Sequence, residues 1–149
     1  MARRDPHQFY DGFVAVFRRV RAAAEQGFSP LEVGSAQAKL LRHIGQQSRI
    51  SQADLARATG TAATLTGRAL EPLVERGWVR RKRSEEDRRQ YVLELTAAGQ
   101  RARERVLKVR EGIIDRLVGA LDDRDVDDFE RIARKISAVF ASEDGEPGA

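Results

Sequence analysis

The chain has 149 residues, no cysteine and a formal net charge of +4, with 41% hydrophobic and 34% charged residues. That length and apolar content suit a single domain with one modest core, and the missing cysteines exclude disulfides, thiolate metal sites and thiol redox sensing. The longest uninterrupted apolar run, FVAVF from Phe13, is too short to span a bilayer, and MARRD lacks the apolar stretch of a signal peptide, so the cytoplasm is the expected location.

Residues 1–96 carry 17 basic and 11 acidic groups, whereas 97–149 carry 10 and 12, so positive charge is biased to the first part of the chain. Such a bias permits a polyanionic partner. The two histidines, His7 and His43, have no ligand-like spacing, and no metal or cofactor is expected.

Phe9, Phe13 and Phe17 recur every four residues with Tyr10, Val14 and Val20 beside them, which predicts a helix over about residues 6–25. Gly27, Ser29 and Pro30 break it, and a second helix runs from Ser35 through Leu40, Leu41 and Ile44 to Gly45. Ser51 with Asp54 three residues later starts a short helix in which Leu55 and Ala56 face inward, and Gly60 marks a sharp turn. Thr61 is then placed to cap the next helix, whose stripe is Leu65, Leu70, Leu73 and Val74. Two short helices around a glycine turn are the helix-turn-helix pattern. Gly77 closes the second of them, 78–82 reads as a strand, 83–90 as a charged loop and YVLEL, 91–95, as the returning strand. A hairpin hung on a helix-turn-helix is a winged helix, so the expected fold is mainly α with a small β wing. Thr96 begins a long helix with Val106, Val109, Ile113, Ile114, Leu117, Val118 and Leu121 on one stripe. After the acidic LDDRDVDDFE a last helix carries Phe129, Ile132, Ile136, Val139 and Phe140.

The winged helix is thus expected over 35–96, helical dimerisation regions over 1–30 and 97–142, and a flexible tail over 143–149. The apolar surplus on the terminal helices predicts an intertwined homodimer, the alternative being that these helices pack on their own winged helix.

No cysteine nucleophile, G-x-S-x-G elbow or phosphate loop is present, and the acids of 122–130 read as a solvated helix start, so no enzymatic activity is expected. Duplex recognition needs cations that reach phosphates and short or forked side chains that reach base edges. Thr61, Ala62, Thr64, Thr66 and Arg68 supply the second kind on one helix, with helix capping and back-bonding as the competing role of the threonines. Arg81, Lys82, Arg83, Asp87, Arg88 and Arg89 supply a basic wing.

From Gln52 to Gly99 the order Leu55-Ala56, Gly60, Arg68, Leu73, Gly77-Trp78-Val79, Arg81, Asp87-Arg88-Arg89, Leu95-Thr96 and Gly99 resembles the MarR family of bacterial winged-helix regulators. The resemblance implies a homodimeric regulator of transcription, expected to repress, that binds a pseudo-palindromic operator in double-stranded DNA. Recognition helices would enter successive major grooves, the arginine matching Arg89 would enter the minor groove, and the aspartate matching Asp87 would fix its orientation. It also implies a small aromatic or anionic effector between the dimerisation helices and the winged helix, where Tyr10, Phe13, Phe17 and His43 are candidate liners with ordinary core packing as their competing role. The alternative is a winged helix that meets an acidic protein and reads no DNA. Gly67 and Pro72 depart from the family pattern, and Pro72, lacking an N–H, predicts a kink near Arg68. Glu85 and Glu86 are expected either to point away from phosphate or to pair with Arg81 or Arg83.

Overall fold

A computed structural model describes residues 5–141, so the tail expected at 143–149, with residue 142, lies outside the described residues. Internal contacts divide the chain into two units, the first ending at Ile113 and the second beginning at Ile114.

In the first unit, α1 (Pro6–Phe28) begins where the Asp5 carboxylate accepts the His7 amide at 2.9 Å. Pro6 follows in the first turn, where a missing N–H costs no hydrogen bond. After a 3₁₀ turn at Ser29–Leu31 comes α2 (Ser35–Ile44), started by Gln37 Oε1 accepting the Gly34 amide at 3.1 Å. Then follow β1 (Ile50–Ser51), α3 (Gln52–Thr59), α4 (Ala63–Glu75), β2 (Val79–Arg83), β3 (Tyr91–Leu95) and α5 (Ala97–Gly119), the last running on into the second unit. The sheet is antiparallel in the order β1-β3-β2. The strand β1 was not expected. Two residues show no alternation to read, and it is the pairing of Ile50 with Leu93 that makes them a strand.

The core collects Leu41 and Ile44 from α2, Leu55 from α3, Leu70 and Leu73 from α4, Leu93 from β3 and Val106 from α5, each less than 2% exposed. Helical spacing of three and four in α2 and α4 puts these side chains on one face each, so the short helices bury their stripes against one another and the sheet.

Between α3 and α4 the chain turns through Gly60 at φ +61°, a left-handed conformation that glycine adopts without a Cβ clash. Thr61 does not cap α4 as expected. Its amide donates to the Ala56 carbonyl at 3.0 Å and its hydroxyl to the Thr59 carbonyl at 3.4 Å, so it finishes α3, and the residue preceding α4 is Ala62. The helix α4 runs from Ala63 to Glu75 with Pro72 in its interior, so the proline does not end it.

The junction between hairpin and α5 is tightly packed. Thr96 Oγ1 accepts the Gly99 amide at 3.0 Å and donates to the Gly77 carbonyl, while the Thr96 amide donates to the Trp78 carbonyl at 3.0 Å. A Cβ at Gly99 would collide with that same Trp78 carbonyl oxygen, so only glycine lets the first turn of α5 approach the start of β2. One turn on, Ala102 and then Val106 enter the core.

In the second unit, α6 (Asp123–Phe140) starts on a reciprocal pair: Asp122 Oδ1 accepts the Asp125 amide at 2.8 Å, and Asp125 Oδ2 accepts the Asp122 amide at 3.1 Å. This is the helix-start role expected of the acid block. No residue of α6 is buried in the single chain.

Replacing Gly99 by alanine is expected to destabilise the chain by about 1–3 kcal/mol through overpacking against backbone that has no rotamer to yield. Urea unfolding followed by circular dichroism measures it, and a midpoint equal to that of the parent chain would contradict this account of the junction.

Candidate nucleic-acid interface

The leading end of α4 exposes Ala62, Ala63, Thr64, Leu65 and, one turn on, Arg68. No side chain caps this end, so its first amides are left to donate outward. Two expectations on this helix are corrected. Thr66 was placed among the base-reading residues, but it is fully buried and its hydroxyl donates to the Ala62 carbonyl at 3.1 Å. Leu65 was assigned to the inward stripe, yet it is 56% exposed, beside Thr64 on the face that carries Arg68. An exposed leucine there can meet a thymine methyl. The spacing of Thr61, Leu65 and Arg68 was the available signal for it. Gly67 lies beside the Gln52 side chain, and an added Cβ would come no nearer than 3.4 Å to Gln52 Nε2, so space does not demand glycine there.

The wing sorts its cations by the two-residue alternation of β2. Arg80 and Lys82 stand on the outer face and share Glu94, at 3.0 and 3.7 Å. The hydrogen bond from Arg80 and the charges of Lys82 and Arg49 hold the Glu94 carboxyl below its usual range. Arg81 and Arg83 stand on the core face, in register with Leu93 and Tyr91. Arg81 bonds Glu71 of α4 at 3.0 Å and keeps only 20% of its side chain exposed, which turns it away from the phosphate reach expected of it. Arg83 donates to the Arg88 carbonyl at 2.7 Å. Exposed ion pairs are worth about 0–1 kcal/mol, so Arg80 and Lys82 can exchange Glu94 for a phosphate, whereas the half-buried Arg81 is held.

At the tip, the Ser84 amide donates to the Gln90 carbonyl at 2.9 Å and the Gln90 amide to the Asp87 carbonyl at 3.0 Å. Asp87 Oδ1 accepts the backbone amide of Arg89 at 3.0 Å, so the aspartate fixes the arginine through its main chain and not through its guanidinium. Among the described residues the guanidinium groups of Arg68, Arg88 and Arg89 have no carboxylate or hydrogen-bond acceptor. Glu85 and Glu86 pair with neither Arg81 nor Arg83; they line a shallow groove with Arg49, Ser84 and Val92. Sequence reasoning missed Glu71 and Tyr91, whose roles depend on which helix β2 packs against.

A helix-turn-helix followed by a basic antiparallel hairpin and a long helix defines a winged helix-turn-helix protein. Residues 34–91 match the MarR family. Over 87 residues the chain is 33% identical to the transcriptional repressor MprA of Escherichia coli K12, a stretch that is 58% of this chain and 49% of that protein, so the chain spans about half the length of that curated relative. The fold of AbsC, a MarR family transcriptional regulator from Streptomyces coelicolor, superposes with a TM-score of 0.85 at 18% identity over 95% of this chain and 98% of that one. A mutant MarR from Escherichia coli complexed with operator DNA gives a TM-score of 0.77 at 23% identity, covering 87% and 93%. The likeness to the MarR family is thus one of sequence over residues 34–91 and one of fold over nearly the whole chain.

The candidate effector liners are spread over two helices. Tyr10 and Phe17 of α1 are 64% and 58% exposed, Phe13 stacks edge-on with Phe17 at 4.9 Å, and His43 is half-buried on α2. Burial first, then the charges of Arg42 and Lys39, hold the His43 imidazole below its ordinary pKa. The unfolded chain therefore takes up a proton before the folded chain does as pH falls, and His43 subtracts stability in that window. Thermal melts from about pH 7.5 to about pH 5.5 should show a smaller fall in Tm for His43→Gln than for the parent chain; equal falls would contradict the assignment.

Proposed function

We propose that the chain is a homodimeric DNA-binding transcriptional repressor that reads a pseudo-palindromic duplex site and is released by a small aromatic or anionic effector. The observation that carries the reading is the sorting of charge on the wing: Arg80 to Arg83 have partners within the chain, while Arg88 and Arg89 at the tip have none among the described residues. Unpartnered guanidinium groups on a narrow hairpin suit the negative potential of a narrow minor groove. Beside them, the small side chains of Ala62 and Thr64 let α4 approach base edges closely, with Leu65 and Arg68 as its apolar and forked contacts. The names of the relatives agree, being a transcriptional repressor and a regulator solved on operator DNA.

Dimerisation is supported by apolar surface that the single chain leaves open. In α6, Phe129, Ile132, Val139 and Phe140 are 62%, 43%, 68% and 56% exposed. In α1, Phe9, Tyr10, Val14, Val16 and Phe17 are exposed as well. Burying one large apolar side chain is worth about 1.5–3 kcal/mol, so faces of this size favour association with a second copy. Two recognition helices related by a two-fold axis would then address half-sites roughly 34 Å apart.

Two measurements test the reading. In a gel shift with the duplex upstream of the protein's own coding region, against random duplex as competitor, Arg89→Ala should weaken specific binding by about 1–3 kcal/mol. Unchanged affinity would remove the wing from the interface, and absence of any preference over random duplex would favour a protein-interaction module instead. In light scattering the parent chain should have twice the chain mass, and the double variant Phe129→Asp, Val139→Asp should be monomeric, because it removes roughly 3–6 kcal/mol of apolar burial. A parent monomer, or a variant that stays dimeric, would contradict the assigned surface.

A further inference from the structure

The hydrogen bonds within the tip fix its shape but not its angle to α4. What fixes the angle lies on the core face of the hairpin, past the last buried apolar side chain. There the register runs from Val79 opposite Leu95, through Arg81 opposite Leu93, to Arg83 opposite Tyr91. Val79 and Leu93 are buried. Beyond them the face is continued by two arginines and one aromatic ring, and both guanidinium groups lie over that ring, Arg81 at 5.3 Å and Arg83 at 4.7 Å from its centroid.

Each arginine is also tied elsewhere. Arg81 reaches back to Glu71 on α4 at 3.0 Å, and its Nε is buried without a hydrogen-bond partner, which leaves the ring face and Glu71 as its polar surroundings. Arg83 reaches forward to the carbonyl of Arg88 at 2.7 Å. The result is a continuous ladder from Glu71 through Arg81, Tyr91 and Arg83 to the wing tip.

We propose that Tyr91 is the positioning residue of the wing: its ring is the shared rung that joins the arginine tied to α4 with the arginine tied to the tip, and so sets the angle at which Arg88 and Arg89 are presented. An aromatic ring is required because its negative face attracts cations, which an aliphatic side chain of similar bulk does not do. The geometry stands independently of what the wing binds, and its consequence for affinity rests on the nucleic-acid reading above.

The test compares Tyr91→Leu, which removes the ring, with Tyr91→Phe, which keeps it, on the full chain. In limited trypsin digestion, with cleavage after Arg88 and Arg89 identified by fragment mass, Tyr91→Leu should be cut about five- to tenfold faster than the parent, and Tyr91→Phe within about twofold of it. Arg83→Gln should accelerate cleavage as Tyr91→Leu does, and it carries the test if Tyr91→Leu does not fold. Parent-like cleavage of the leucine or glutamine variant, or acceleration in the phenylalanine variant equal to that in leucine, would overturn the proposal. On a duplex the parent binds selectively, Tyr91→Leu should lose about fivefold in affinity with an unchanged salt slope, since no phosphate contact is removed; unchanged affinity, or a reduced slope, would overturn it. A parent chain that binds no duplex selectively defeats the nucleic-acid reading alone, and the proteolysis still decides the role of Tyr91.

Discussion

The first turn of α5 lies against the backbone of Trp78, and the winged unit is organised around that contact. The hairpin leaves the helices at Gly77 and returns to them at Thr96, and the hydrogen bonds of Thr96 to Gly77 and Trp78 close this loop at its base. With the base closed, Val79 is opposite Leu95 and the register of every rung above it follows. The same contact aims α5, whose inward face widens from Gly99 through Ala102 to Val106 as the helix leaves the sheet. A wedge of rising side-chain volume thus sets both the tilt of the helix and the root of the wing.

Much of this was legible in the sequence because it depends on periodicity and on a few residues with special backbone demands. Spacings of three and four marked the helices, Gly60 marked the turn, and the alternation in YVLEL marked β3 to the residue. The failures lie where polarity misstates burial. Thr66 is polar and fully buried because its hydroxyl is satisfied within its own helix, while Leu65 is apolar and exposed because the core-facing arc of α4 falls on Leu70 and Leu73. The arginines of β2 illustrate a different limit. Their alternation is visible in RRKR, but that the core-face pair meets Glu71 and Tyr91 depends on α4 packing beside the strand.

The wing also shows why net charge is a poor guide to a binding surface. Six basic residues lie between Arg80 and Arg89, yet four of them are engaged with acceptors inside the chain. Arg81 and Arg83 are tied within the stem, Arg80 and Lys82 are held only by the Glu94 carboxylate, and the guanidinium groups at the tip are left for an outside partner. Asp87 belongs to the stem in this sense, since it spends its carboxylate on a backbone amide and leaves the Arg89 side chain at liberty.

Glu94 has a thermodynamic consequence for any polyanion that meets the outer face of the hairpin. It offsets one of the two positive charges of Arg80 and Lys82, and the hydrogen bond from Arg80 and the charge of Lys82 hold its carboxyl below the usual carboxylate range. When phosphates take both cations, the carboxylate left behind recruits a mobile cation from solution, offsetting one of those released from the polyanion. Counterion release measured from salt dependence would then undercount the basic side chains in contact, by the share that Glu94 had already compensated.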